Sequence, residues 1–137
     1  MPRPAGPCLG MAVFCEQVTA DPDGALTVTR IGNQVTRPAG SEVLKVGAVF
    51  ALIPGGLGGM RALTVCVKTP SGRALPTQSF PIVAERSDQM LAVFVNLSLE
   101  VTETGVYWFE VRLDDRSLTW MPLRVVGDDR VKAKQGT

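Results

Sequence analysis

Glu103-Thr104-Gly105-Val106-Tyr107-Trp108-Phe109-Glu110-Val111-Arg112-Leu113 is the stretch that decides how this chain folds. After Gly105, every second side chain is large and apolar. Tyr107, Phe109, Val111 and Leu113 share one face, and Trp108, Glu110 and Arg112 share the other. Successive side chains of an extended backbone point to opposite faces, so a period of two over this length predicts a half-buried strand over 106–113. The tyrosine side should face a core and Trp108 should face outward.

The same period recurs in both directions. Downstream, Asp114-Asp115-Arg116 reads as a turn and Ser117 to Val126 as the returning strand. Upstream, Met90 to Leu99 alternates strictly, and Met60 to Lys68 sets Leu63, Val65 and Val67 inward. Glu42 to Ile53 is the longest candidate, with Leu44, Val46, Ala48, Phe50 and Leu52 on one face. Its other face carries Val49 and Ala51, so the middle of the strand is apolar on both sides, as in a strand covered twice or one that meets a partner. Ala74 to Ala84 carries Pro76 and Pro81, which cannot donate to a ladder, and is therefore an edge or an irregular crossing. Met11 to Thr19 and Ala25 to Ile31 form a hairpin around Asp21-Pro22-Asp23-Gly24, while Gly32 to Ser41 is a polar connection. No segment holds a helical period with caps. About eight strands, broken by turns every ten residues or so, predict an all-β sandwich of about 7–9 strands with no significant helix. It should span residues 11–127, after a flexible proline-rich segment at 1–10 and before a polar tail at 128–137.

The corner Glu103-Thr104-Gly105-Val106-Tyr107-Trp108-Phe109 resembles the acid-x-Gly-x-Tyr-x-Cys start of strand F in immunoglobulin-like domains. The resemblance implies a structural corner of Gly105, Tyr107 and Phe109, with the Tyr107 hydroxyl bonded to the chain just upstream. Phe109 stands where the bridging cysteine would be, and Met60 to Lys68 lacks the tryptophan of strand C. Packed apolar residues would then replace the bridge. More broadly, Ala12-Val13-Phe14-Cys15-Glu16, Asp23-Gly24-Ala25-Leu26, Asn96-Leu97-Ser98 and Pro122-Leu123-Arg124-Val125-Val126 resemble a family of small bacterial immunoglobulin-like proteins of unknown function. That resemblance carries no catalytic residue.

The 137 residues fit one domain, and 45% are apolar, enough for a core. Net charge is +1 with no basic run, which gives no pull toward nucleic acid or an anionic membrane. No stretch approaches the ~20 apolar residues that cross a bilayer as a helix. There is no histidine, so Ser-His-Asp and Cys-His catalysis is excluded. Cys8, Cys15 and Cys66 are odd in number and widely spaced, which reads as free thiols in a reducing compartment, and the expected location is the cytoplasm.

The glycine-rich loop at 54–59 lacks the lysine of a phosphate cradle, since Met60 and Arg61 follow Gly59. Asp21-Pro22-Asp23-Gly24 lacks the downstream carboxylates of a calcium loop. Asp114-Asp115 and Asp128-Asp129 read as solvated loop carboxylates. No catalytic, metal or cofactor residue is expected, and the chain is not expected to be an enzyme.

The tryptophans carry the functional expectation. A three-residue loop would pair Leu113 with Ser117 and set Leu118 and Trp120 beside Trp108. A two-residue loop, or a bulge, would send Trp120 to the core instead. An interface of Trp108, Leu118 and Trp120, joined by Val49 and Ala51, suits a non-catalytic interaction or assembly module that binds a protein partner or itself. A small-ligand or carbohydrate-binding sandwich is the alternative.

Overall fold

The computed structural model describes residues 6–37, 42–56, 58–84 and 90–127. Ten strands form among them: β1 (Cys8–Phe14), β2 (Gln17–Ala20), β3 (Leu26–Thr29), β4 (Gln34–Thr36), β5 (Val43–Ile53), β6 (Gly59–Lys68), β7 (Gln78–Ala84), β8 (Leu91–Glu100), β9 (Gly105–Leu113) and β10 (Arg116–Val126). One sheet has the order β1-β5-β8, a second has the order β4-β10-β9-β6-β7, and β2 and β3 pair as a hairpin. No helix among the described residues is long and apolar enough to cross a membrane.

The alternation read from the sequence becomes the core. Phe50, Leu52, Leu97 and Leu99 of one sheet face Leu63, Tyr107, Phe109, Leu113 and Leu123 of the other in one apolar cluster. Phe14 and Phe109 meet across the two sheets, edge to face, with ring centroids 5.0 Å apart. An aromatic pair of this geometry adds to the burial of its own area.

Ten strands form where the sequence pattern marks about eight, and the two further ones share a cause. The predicted strand from Met11 to Thr19 is broken in two. β1 runs antiparallel to β5 as far as Phe14↔Ala48. The Cys15 N–H then donates to the Gly47 carbonyl at 3.0 Å, and the chain leaves the sheet as the β2–β3 hairpin. Gly47 permits this close crossing, since a Cβ there would stand 2.5 Å from the Cys15 carbonyl oxygen. The chain returns at Gly32, whose N–H donates to the Phe14 carbonyl at 3.1 Å. The connection expected over Gly32 to Ser41 then contributes β4, which runs parallel to the end of β10 through Val35↔Val125. The N-terminal portion thus begins in one sheet and ends in the other.

The expected boundary at residue 10 is also corrected. Cys8, Leu9 and Gly10 already belong to β1: Cys8 and Leu9 pair with the end of β5 through Cys8↔Ile53 and Leu9↔Leu52, and Gly10 lies at the register shift before Met11. Residues 1–5, the predicted tail at 128–137, the Glu85–Gln89 turn, residues 38–41 and Leu57 of the glycine-rich loop lie outside the described residues.

The corner before β9 matches its expectation. The Tyr107 hydroxyl donates to the Glu103 carbonyl at 2.7 Å and accepts from the Glu103 N–H at 3.4 Å. Gly105 has a φ of 129°, a region that strains any residue with a side chain, and a Cβ there would press on Pro70 at 3.0 Å. The Glu103 carboxylate accepts from the Ser71 N–H at 2.7 Å, so the corner is tied to the turn that follows β6.

Candidate interaction surface

The register of β9 and β10 decides what the outer face of the five-stranded sheet shows. The loop has two residues, Asp114 and Asp115, and pairs Leu113 with Arg116 and Arg112 with Ser117. Asp114 takes a φ of 52°, as a tight hairpin loop requires. Its carboxylate is held by the Ala62 N–H and by Arg61, each at 3.2 Å. That loop alone would have sent Trp120 inward. A bulge at Leu118 then shifts the register by one residue, so that Thr119 pairs with Val111 and Trp120 with Glu110. A two-residue loop and a bulge each invert the face, and together they cancel. Trp120 therefore points outward beside Trp108.

Trp108 pairs with Pro122, so the two tryptophans lie on one diagonal of the ladder. Each is 45% exposed. A diagonal pair of this kind has Cβ atoms within roughly 8 Å, which places the indoles within reach of one ligand surface. Across β6, Lys68 lies beside Trp108, and Cys66 lies beside Glu110. The patch is thus two indoles and a proline edged by Lys68, Glu110 and Arg124.

Pro122 also explains how the patch ends. β4 pairs only with the last residues of β10, from Arg124 onward. At Pro122 the side of β10 away from β9 is therefore unladdered, and the missing N–H removes no bond. A shallow cleft of about 300 Å³ opens there, lined by Val13, Ile31, Trp120 and Pro122. Ile31 is 59% exposed at its rim. The apolar patch therefore continues from the tryptophans over the seam toward β1.

The other expected interface residues are elsewhere. Leu118, at the bulge, is half-buried and packs against the core rather than standing beside the tryptophans. Val49 and Ala51 lie on the outer face of the three-stranded sheet, on the opposite side of the sandwich, and are 0% and 1% exposed. Val49 is flanked in register by Val13 and Phe94, and Ala51 by Met11 and Ala92. Their burial within this chain corrects the expectation that they meet a partner.

A second concavity was not foreseen. Where β1 leaves β5, a cleft of about 630 Å³ opens beneath the β2–β3 hairpin, lined among others by Glu16, Arg30, Gln34, Lys45 and Asn96. Glu16 and Arg30 form an exposed ion pair at 2.9 Å. This cleft exists because the N-terminal portion changes sheets, an event that no local pattern signals. The Asp21–Gly24 turn is structural: the Asp23 carboxylate accepts from the Ala25 N–H at 3.0 Å. Among the described residues, no group of three or more acidic or thiol side chains is placed to hold a metal ion.

Two packed sheets, an N-terminal portion shared between them and a tyrosine corner opening β9 define an immunoglobulin-like β-sandwich. The chain belongs to a family of unknown function (DUF6941), whose model matches residues 10–126. No curated protein matches it. Among solved structures it is similar to an immunoglobulin-like protein from Pseudomonas aeruginosa, at 19% identity and a TM-score of 0.45, over 89% of this chain and 98% of that one.

Proposed function

We infer that this chain is a non-catalytic protein-interaction module that docks a protein partner on the outer face of β9 and β10. The observation that carries this reading is the pair of indoles, Trp108 and Trp120, each 45% exposed on one diagonal. Large exposed aromatics on a rigid sheet lose little entropy on binding and dominate interface energetics. The lack of histidine supports a role without acid–base chemistry, and three free cysteines suit a reducing compartment such as the cytoplasm.

These are the only two tryptophans in the chain, so intrinsic fluorescence reports on this face alone. Titration with the products of neighbouring genes should shift the emission to the blue on docking. The Trp108→Ala and Trp120→Ala variants should stay folded and lose affinity at least tenfold. A partner that binds both variants as tightly as wild type would show that docking occurs elsewhere.

The cleft of about 630 Å³ beneath the hairpin favours a second reading, a small polar ligand held between Glu16, Arg30 and Lys45. A ligand-dependent rise in melting temperature, abolished by Lys45→Ala and not by Trp108→Ala, would select it.

A further inference from the structure

Four strands end the two larger sheets: β1 and β8 in one, β4 and β7 in the other. Exposed edges invite pairing with further strands, and folded proteins blunt them. β7 carries Pro81, and β4 has three residues. β1 has a register shift between Leu9 and Met11, and its far side faces β10 across the seam. β8 has none of these devices. It has ten residues, and from Leu91 to Leu97 it contains no charge, no proline and no glycine.

The backbone direction of that edge follows from one contact. Both the N–H and the C=O of Ser98 are bonded to the Gln78 side-chain amide, at 3.1 and 3.0 Å, so they point away from β5. Alternation then turns the N–H and C=O of Ala92, Phe94 and Asn96 the same way. No partner reaches these three among the described residues. Phe94 is 39% exposed on the outer face beside them.

We propose that this edge pairs with the same edge of a second copy of the chain, antiparallel, about a twofold axis at Phe94. Phe94 then meets Phe94 of the second copy, and Ala92 meets Asn96, each pair exchanging two N–H···O bonds. The second copy is the occupant that the edge itself specifies. Antiparallel pairing about a twofold is self-complementary, and the uncharged run from Leu91 to Leu97 brings no like charges together. Pairing with β4 or β7 of another copy would meet a three-residue strand or a proline, and as a head-to-tail contact would build rings or open chains rather than a twofold dimer. The ladder stops at Ser98, whose groups Gln78 already holds. This assembly does not rest on the tryptophan face, which stays open in it.

Light scattering and amide hydrogen exchange on the full chain test the proposal. The expected result is a mass that doubles with concentration, together with slower exchange at Ala92, Phe94 and Asn96 in the concentrated sample. Phe94→Lys and Asn96→Pro should be monomeric with an unchanged circular dichroism spectrum, since neither removes a bond to β5. Trp108→Ala should remain dimeric. A wild-type monomer at the highest soluble concentration overturns the proposal, including the case in which another protein's strand fills the edge. A dimer whose exchange at these three amides does not depend on concentration also overturns it. So does a dimer that Trp108→Ala dissociates and Phe94→Lys does not, an outcome that would leave the tryptophan reading standing. The exchange measurement needs no variant, so misfolding of either substitution leaves the test decisive.

Discussion

Gln78 of β7 grips Ser98 of β8 as a neighbouring strand would. Its amide donates to the Ser98 carbonyl at 3.0 Å, and its oxygen accepts from the Ser98 N–H at 3.1 Å. One side chain thereby links the edges of the two sheets on the side of the sandwich away from β1. Gln78→Ala should cost about 1–2 kcal/mol in urea unfolding, as two partly exposed bonds are lost. Gln78→Glu should cost at least as much, because a carboxylate cannot donate to the Ser98 carbonyl and would repel it. Equal urea midpoints for wild type and both variants would remove the clamp from the account of stability.

Tyr107 is fully buried, and its hydroxyl bonds both the carbonyl and the N–H of Glu103. Tyr107→Phe keeps the ring and strands the Glu103 groups. A loss of about 1–3 kcal/mol is expected, read as a lower urea midpoint at unchanged slope.

Leu118 is the surplus residue of the bulge in β10, so deleting it and truncating it should leave the same register. Deletion removes the bulge and leaves Thr119 paired with Val111 and Trp120 with Glu110, so Met121, Leu123 and Val125 stay in the core and unfolding should remain cooperative. Leu118→Ala keeps the register and loses half-buried packing only, at about 1–2 kcal/mol. Tryptophan emission should stay red in Leu118→Ala, since both indoles remain on the outer face.

The three thiols differ in access. Cys8 is exposed, Cys66 is half-buried and Cys15 is buried. A thiol reagent should label them in that order, with Cys15 reacting only on unfolding. Burial pushes the Cys15 thiol above its ordinary 9.0, opposed by a backbone hydrogen bond from Gln17. The neutral thiol is therefore favoured in the folded state. The unfolded chain releases that proton first as pH rises, so this contribution to stability is complete below about 9 and is lost through the range above it. Cys15→Ala should flatten that part of the alkaline decline. An equally steep decline in the variant would show that other groups cause it.

Side-chain alternation made most strands legible, because burying one face of a sheet forces a period of two that any window of eight residues displays. The corner at Gly105 and Tyr107 was legible for a related reason: a positive φ and a buried hydroxyl each demand a particular residue. The outward position of Trp108 followed from the same period. Trp120 was different, since a two-residue loop and a bulge at Leu118 had to be counted together, and the bulge has no local signature. Val49 and Ala51 read as apolar on an outer face, yet only their burial in the folded chain shows that they are closed to a partner. The division of the N-terminal portion between two sheets, with the cleft beneath its hairpin and the open edge of β8, depends on which strands become neighbours. Strand propensity and period are properties of consecutive residues, whereas neighbours, edges and clefts arise from contacts between residues far apart in the chain.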